Sequence, residues 1–334
     1  MGDVLHALPS VAALRTAYPD AHIGWAVEPR WQSLLSATTE QGRALVDRVH
    51  LVPVAEWKKA PFSRATLTSL RSLRRALRAN QYEIAVDLQG TIRSSVIGRL
   101  SAARIFAGRC DPRESLARLL YTQSVKPHLP HIVQQSCEIL AAAVALPFTP
   151  ARVLLAPNTS AEIWASATLK PLAGAPIAVI STGGGWGAKR WPVERYGQLA
   201  AALASRGIGV VVAAASADSS DSRVAVEASG GVARLVACDL MQLTALLRRA
   251  SICIAGDTGP LHLAAALGTP VVGLFGPTDP ARNGPWSSRA RILRSPLSRT
   301  SYKHTDAPDP GLLTIQVEDV IHSGLELLIP HDEQ

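Results

Sequence analysis

Short runs of aliphatic and β-branched residues recur along the chain, at 23–27, 49–54, 84–88, 177–181, 210–214, 252–255 and 271–275. Between them lie stretches whose apolar positions fall three and four apart. This alternation predicts strands and helices in βα units on parallel sheets. The two series of strands are separated by a helical stretch over 132–146 and then by Pro147, Pro150, Pro157, Pro171, Gly174 and Pro176. Proline and glycine at that density predict a domain boundary. A length of 334 residues also exceeds what single cores usually fill, about 250 to 300 residues. The expected fold is α/β, with two Rossmann-like domains facing each other across a cleft. In such sheets ligands lie beyond the carboxyl ends of the strands, so the segments just after each strand are where chemistry is sought.

The amino end breaks the rhythm. MGDVLHALPS reads as a glycine turn feeding a helix with apolar Val4, Leu5, Ala7, Leu8 and Val11, the form a βα unit takes just after its strand. No strand precedes it in this sequence, so either the helix starts the protein or a first strand of the motif lies upstream.

Composition narrows the function. The chain is 47% hydrophobic and 18% charged, as a folded soluble protein is. Its longest apolar runs, 208–215 and 139–146, fall short of the roughly 20 residues that span a bilayer. Met1 leads into no signal-peptide pattern, so the cytosol is the expected address. Cys110, Cys137, Cys238 and Cys253 have no metal or disulfide spacing and read as small buried hydrophobes. A formal charge of +8 calls for an anionic partner: nucleic acid, an acidic membrane surface or a phosphorylated substrate. No nucleic-acid signature accompanies the charge, which disfavours that partner. A strand-GxGxxG-helix unit followed by an acidic residue, the mark of a Rossmann dehydrogenase, is absent too.

Two motifs carry candidate chemistry. STGGGWGAKRWP at 181–192 follows a strand and precedes a helix that begins near Val193, with Pro192 as its first residue. Its glycines allow close backbone approach, the helix N-terminus favours anions, and Lys189 and Arg190 add charge. The spacing is not that of a Walker A loop; a plain glycine-rich turn with a solvated basic pair is the alternative. In AGDTGPLHLAAALGTPVVGLFGPTDP at 255–280, Asp257, Thr258 and Gly259 follow a strand, Pro260 opens a helix, and His262 lies in its first turn. Asp257 could instead cap that helix, and His262 could be a core histidine.

These blocks, with the opening GDVLHALP, together resemble the lipopolysaccharide heptosyltransferases, family 9 of the glycosyltransferases. The resemblance runs over essentially the whole chain. It extends to WKKAPFS at 57–63, DLQG at 87–90 and RESLARLLY at 113–121, blocks similar to those of the heptosyltransferase I branch. It implies a GT-B fold: an acceptor domain over 1–155, a nucleotide-sugar domain over 172–315, and a C-terminal helix over 316–334 crossing back. The implied donor is ADP-heptose, held by Thr182, Gly183, Lys189, Asp257, Thr258, Gly259 and His262. Where the family carries a glutamate for the ribose this chain has AAASADSSD, so Asp218 is the nearest match. The implied acceptor is Kdo-lipid A, with Lys58, Lys59, Arg93 and Arg113 matching its basic positions. Transfer onto an inner-core heptose, as in the heptosyltransferase II branch, and a GT-B-like epimerase are the competing activities.

Inverting transfer needs a base for the acceptor hydroxyl, and Asp3 matches the family's catalytic aspartate; read locally it would be an N-terminal helix residue. The leaving diphosphate needs fixed positive charge. With no DxD motif, Lys189 and helix N-termini are expected to serve without a metal or other cofactor. Arg64, Arg71, Arg74, Arg75 and Arg78 share one helix, with Leu67, Leu70, Leu73 and Leu77 expected on its other side. They form either a solvated face or a docking surface that makes the protein peripheral on the anionic cytoplasmic face of the inner membrane. A monomer is expected. The resemblance also implies an apolar strand and a short loop before GDVLH, so that roughly ten residues would be expected upstream of Met1.

Overall fold

The structure, a computed structural model, describes residues 1–329 and divides into a unit that ends at Ala156 and one that begins at Pro157. The division falls within the proline-rich stretch. That stretch is not all linker: Asn158 caps a helix, α6 in the numbering below, by accepting from the N–H of Ala161, so Pro157 and Pro171 bracket a helix.

The first unit opens with α1 (Gly2–Ala17), then β1 (Gly24–Val27), β2 (Arg48–Leu51), α2 (Val54–Lys59) and α3 (Arg64–Ala79). It continues with β3 (Ile84–Asp87), α4 (Ile92–Leu100), β4 (Ile105–Arg109), β5 (Gln123–Val125) and α5 (Ile132–Val144). β1 pairs with β2, and β3–β4–β5 form a second sheet; every pairing is parallel. On α3 the expected apolar face is narrower than its leucines suggest. Leu73 and Leu77 are buried, whereas Leu67 is 43% exposed and the five arginines face solvent.

The second unit holds α6 (Thr159–Leu169), β6 (Ile177–Ser181), α7 (Val193–Ala204), β7 (Gly209–Ala214), α8 (Ser220–Ala228) and β8 (Arg234–Ala237). After these come α9 (Leu240–Arg249), β9 (Ile252–Gly256), α10 (Gly259–Ala266), β10 (Val271–Phe275), α11 (Pro280–Asn283) and β11 (Ala290–Arg294). The last two helices are α12 (Pro310–Thr314) and α13 (Val317–Leu328). Six parallel strands lie in the order β11-β10-β9-β6-β7-β8. β9 and β10 are buried along their whole length, because helices cover both faces of a parallel sheet and leave no position for a polar alternation. Val320, Ile321 and Leu327 of α13 join the core around Trp191, Tyr196 and Leu199, so α13 packs on its own unit. The Trp191 indole donates to the Ile315 carbonyl at 3.0 Å, which satisfies the one polar atom of that buried ring. Residues 330–334 of the expected C-terminal helix lie outside the described residues. No helix of the described residues is long and apolar enough to cross a membrane.

Of the cysteines, Cys137, Cys238 and Cys253 are buried as expected, and burial pushes their thiols up to about 12, 11 and 12. Cys110 is partly exposed instead. It follows the carboxyl end of β4 and is not a core residue.

Candidate active site

In the second unit the Gly-rich loop and the DTG segment meet at the carboxyl ends of β6, β9 and β10. A single 3₁₀ turn, Gly187–Lys189, sets the position of Lys189. Two glycines make room for it: a side chain at Gly256 would come within 3.2 Å of the Lys189 carbonyl, and one at Gly276 within 3.1 Å of the Ala188 carbonyl. Lys189 forms an ion pair with Asp257 that is almost wholly buried. Asp257 also accepts from Thr278 Oγ1 at 2.7 Å and lies 3.0 Å from His262 Nε2. Burial opposes its charge, but the hydrogen bond from His262 and the attraction of Lys189 outweigh that, and its carboxyl is held well below the usual carboxylate range. The Lys189 ammonium stands 4.2 Å from the centre of the Trp186 ring, which stacks on His304 with centroids 4.2 Å apart.

Asp257 is therefore not the cap of α10. That place belongs to Thr258, which makes no side-chain cap, so the N-terminal N–H groups of α10 are left for something other than a side chain. Pro192 likewise precedes its helix as N-cap, and Pro260 is the second residue of α10. Thr182 is buried and bonds Ser222 at 3.1 Å, while side chains built on Gly183 or Gly185 would meet open space. The loop is thus bounded by Thr182 on one side and Lys189 on the other, with room in front of its backbone. The basic pair separates: Arg190 turns to Asp221, 3.8 Å away on α8. Asp218 follows β7 but is exposed and paired with Arg223 at 2.7 Å, apart from the Asp257 group.

In the first unit, Asp87 at the end of β3 is buried and organises the DLQG turn. It accepts from the N–H groups of Gln89 and Gly90 at 2.9 and 3.0 Å and from Ser94 and Tyr121 hydroxyls at 2.9 and 2.8 Å. Burial, then the Asp87 charge, raises the Tyr121 phenol far above its ordinary value and keeps it a donor. The turn sends the Gln89 side chain to Asp3, in the first turn of α1, where Nε2 donates at 3.0 Å. Asp3 caps nothing; Met1 is the N-cap. Gly90, at φ 69°, lets the backbone of Arg113 approach, since a side chain there would stand 3.0 Å from the Arg113 N. Arg93 lies in the first turn of α4, whose Thr91–Ser94 capping box starts at the same turn. The DLQG turn therefore gathers Asp3, Arg93 and Arg113. Lys58 and Lys59 are exposed at the end of α2, on another element.

Four contributors escaped the sequence. Gln89, Trp186 and Thr278 lay inside quoted motifs without a role, and His304 carried no local signal.

The profile described as glycosyltransferase family 9 (heptosyltransferase) matches residues 70–310. Lipopolysaccharide heptosyltransferase 1 of Escherichia coli K12 is 28% identical over 304 residues, covering 89% of this chain and 91% of that protein. Its namesake from Pseudomonas aeruginosa is 30% identical, covering 85% and 78%. Among solved structures, the E. coli heptosyltransferase WaaC with ADP gives a TM-score of 0.75 at 25% identity over 98% of this chain and 96% of that one.

Proposed function

This chain belongs to glycosyltransferase family 9, the heptosyltransferases, and from that premise we propose that it moves heptose from ADP-heptose onto a Kdo residue of Kdo-lipid A, with inversion and without a metal. It is a glycosyltransferase, and its relatives are enzymes of the lipopolysaccharide core. The acceptor hydroxyl attacks the anomeric carbon from the face opposite ADP and gives its proton to Asp3. The bond from that carbon to the diphosphate oxygen breaks, and its electron pair leaves on ADP.

One observation carries this reading: the buried Asp257 fixes Lys189 beside an open glycine backbone and an uncapped helix N-terminus. A preorganised cation of that kind stabilises charge as it develops, with no reorganisation at the moment of reaction. The diphosphate would meet Lys189 and the N–H groups of Thr258 and Gly259, with Thr182 and Gly183 flanking it. His262 acts through Asp257. Asp218 reaches the ribose only after leaving Arg223. Arg93, Arg113, Lys58 and Lys59 would receive the acceptor's carboxylates and phosphates, for which arginine's paired donors are suited. The enzyme would work as a monomer, peripheral on the cytoplasmic face of the inner membrane.

Incubation with ADP-heptose and Kdo-lipid A in EDTA, followed by mass spectrometry, tests the reading. The expected product carries one added heptose. Turnover only on an already heptosylated core would move the acceptor to that sugar, and turnover only on adding Mg²⁺ or Mn²⁺ would refute the metal-free mechanism.

A further inference from the structure

Trp186 and Lys189 stand three residues apart, and the chain between them folds so that their side chains meet. The Lys189 N–H donates to the Trp186 carbonyl at 3.0 Å, which closes the 3₁₀ turn over Gly187–Lys189 with Trp186 as its N-cap. Three residues complete a turn of that helix, so positions three apart fall on one side of it. The ammonium accordingly stands over the indole, 4.2 Å from the ring centre.

The same turn fixes His304. The Ala188 N–H donates to the Thr305 carbonyl at 3.1 Å, and the Asp309 N–H donates to the Ala188 carbonyl at 3.3 Å. Gly187 lets the two segments touch, because a side chain there would stand 1.8 Å from the Asp306 carbonyl oxygen. Laced on in this way, the 304–309 segment lays the His304 ring on the indole, 4.2 Å between centroids and 11° from parallel. Both contacts engage the face of the indole. Its N–H, by contrast, is buried with no hydrogen-bond partner among the described residues. Buried tryptophans usually find a partner for that group, and leaving a donor unpaired is costly. The ring is therefore held through its face and not through its polar atom.

We infer that Trp186 is a positioning residue for Lys189: its face is the second partner of the ammonium, beside the Asp257 carboxylate, and His304 holds the plane of that ring. The inference rests on the proposed role of Lys189 toward the leaving diphosphate. A lysine carries its charge on a flexible four-carbon stem, and one ion pair leaves the ammonium free to swing about the carboxylate. The ring supplies a second fixed point. Its face is negative and attracts the cation, yet it carries no net charge and so leaves the ammonium's charge for the diphosphate. A second carboxylate in that place would hold the lysine as firmly, but it would cancel the charge and repel the diphosphate. The Lys189 side chain is only 11% exposed, and the attraction of a cation to a ring grows as water is removed.

The geometry is read without substrate. In protein labelled with ¹³C-lysine, the Lys189 ε-methylene, one bond from the ammonium, should resonate upfield of an ordinary lysine because the ring face shields it. An unshifted Lys189 overturns the inference. Turnover of ADP-heptose reads the role. Fluorotryptophans placed at 186 by amber suppression nearly keep the shape of the ring and drain charge from its face. The logarithm of kcat should therefore fall in step as one, two and three fluorines are added, while KM for ADP-heptose moves less. Trp186→Leu should lower kcat roughly five- to thirtyfold, Trp186→Phe should recover most of that loss, and His304→Ala should lower kcat by less than Trp186→Leu. A kcat that ignores the fluorines shows a ring that only excludes water, and it overturns the inference even where Trp186→Leu is inactive or fails to fold. A parent that shows the shifted lysine but transfers no heptose overturns the transferase reading, and this role for Trp186 with it.

Discussion

Asp257 receives Lys189 in a buried ion pair at the carboxyl end of β9. The pair explains why a lysine can be kept in a place with little water. Thr278 and His262 complete the carboxylate, and the Trp186 ring covers the ammonium. An ammonium has three donors, so one ion pair leaves Lys189 capacity for an incoming anion.

Replacing Lys189 by alanine should therefore slow kcat by about a hundred- to a thousandfold, the usual cost of removing a preorganised charge, and weaken ADP binding as well. Because Lys189→Ala alone strands the Asp257 charge, the double variant with Asp257→Asn serves as the folded control. Turnover near the parent's in either variant would remove Lys189 from the mechanism.

The same pair sets a pH dependence of stability. The folded Asp257 carboxyl sits well below its ordinary value, so the unfolded chain takes up its proton first. Its contribution is complete above the unfolded value near ~3.9 and is lost as pH falls toward the folded value. Breaking a buried pair costs about 3 to 5 kcal/mol. Asp257→Asn should be less stable than the parent by roughly that amount at neutral pH, with the gap narrowing below about pH 4. Denaturant melts at several pH values measure it, and a gap that does not change with pH would show that the charge is not its source.

In the first unit, Asp3→Ala should abolish turnover and leave ADP affinity nearly unchanged. Gln89 orients Asp3 through one hydrogen bond between two exposed side chains, where water competes for both partners and the contact contributes at most about 1 kcal/mol. Gln89→Leu should thus lower kcat by roughly two- to fivefold while KM for the donor stays constant. A rise in donor KM with kcat unchanged would assign Gln89 to binding, and turnover by Asp3→Ala would leave the base unidentified.

These residues differed in how far the chain disclosed them. β6 and β10 have the ends expected from their apolar runs, since strands buried on both faces carry an uninterrupted signal. β11, with an arginine at each of two positions and only partial burial, and β5, three residues long, offered none. The helix α6 was hidden by the prolines that bracket it, although Ala161, Ala165 and Leu169 keep its buried stripe. Lys189, Asp257 and His262 were legible because their motifs put them just after strands. His304 was not, because its stacking on Trp186 joins distant segments that share no spacing. Asp218 shows the converse: its sequence place fits a ribose contact, yet Arg223 holds it.

The α3 surface yields the last prediction. Arg64, Arg71, Arg74, Arg75 and Arg78 are all exposed, and Phe62, in the turn before the helix, is 92% exposed. Lys58 and Lys59 lie close by in sequence and are exposed as well. A solvated helix face accounts for the arginines and tolerates a single exposed ring; on the proposed membrane reading, charge would draw the face to anionic headgroups and the ring would enter the acyl boundary. Each basic residue near such a surface contributes about 1 kcal/mol, so reversing Arg71, Arg74 and Arg75 to glutamate should weaken binding to phosphatidylglycerol vesicles by roughly a hundredfold or more. Phe62→Ser should remove most of the binding that persists in high salt. Vesicle sedimentation reads both, and binding that ignores salt and the triple variant alike would leave α3 a solvated face.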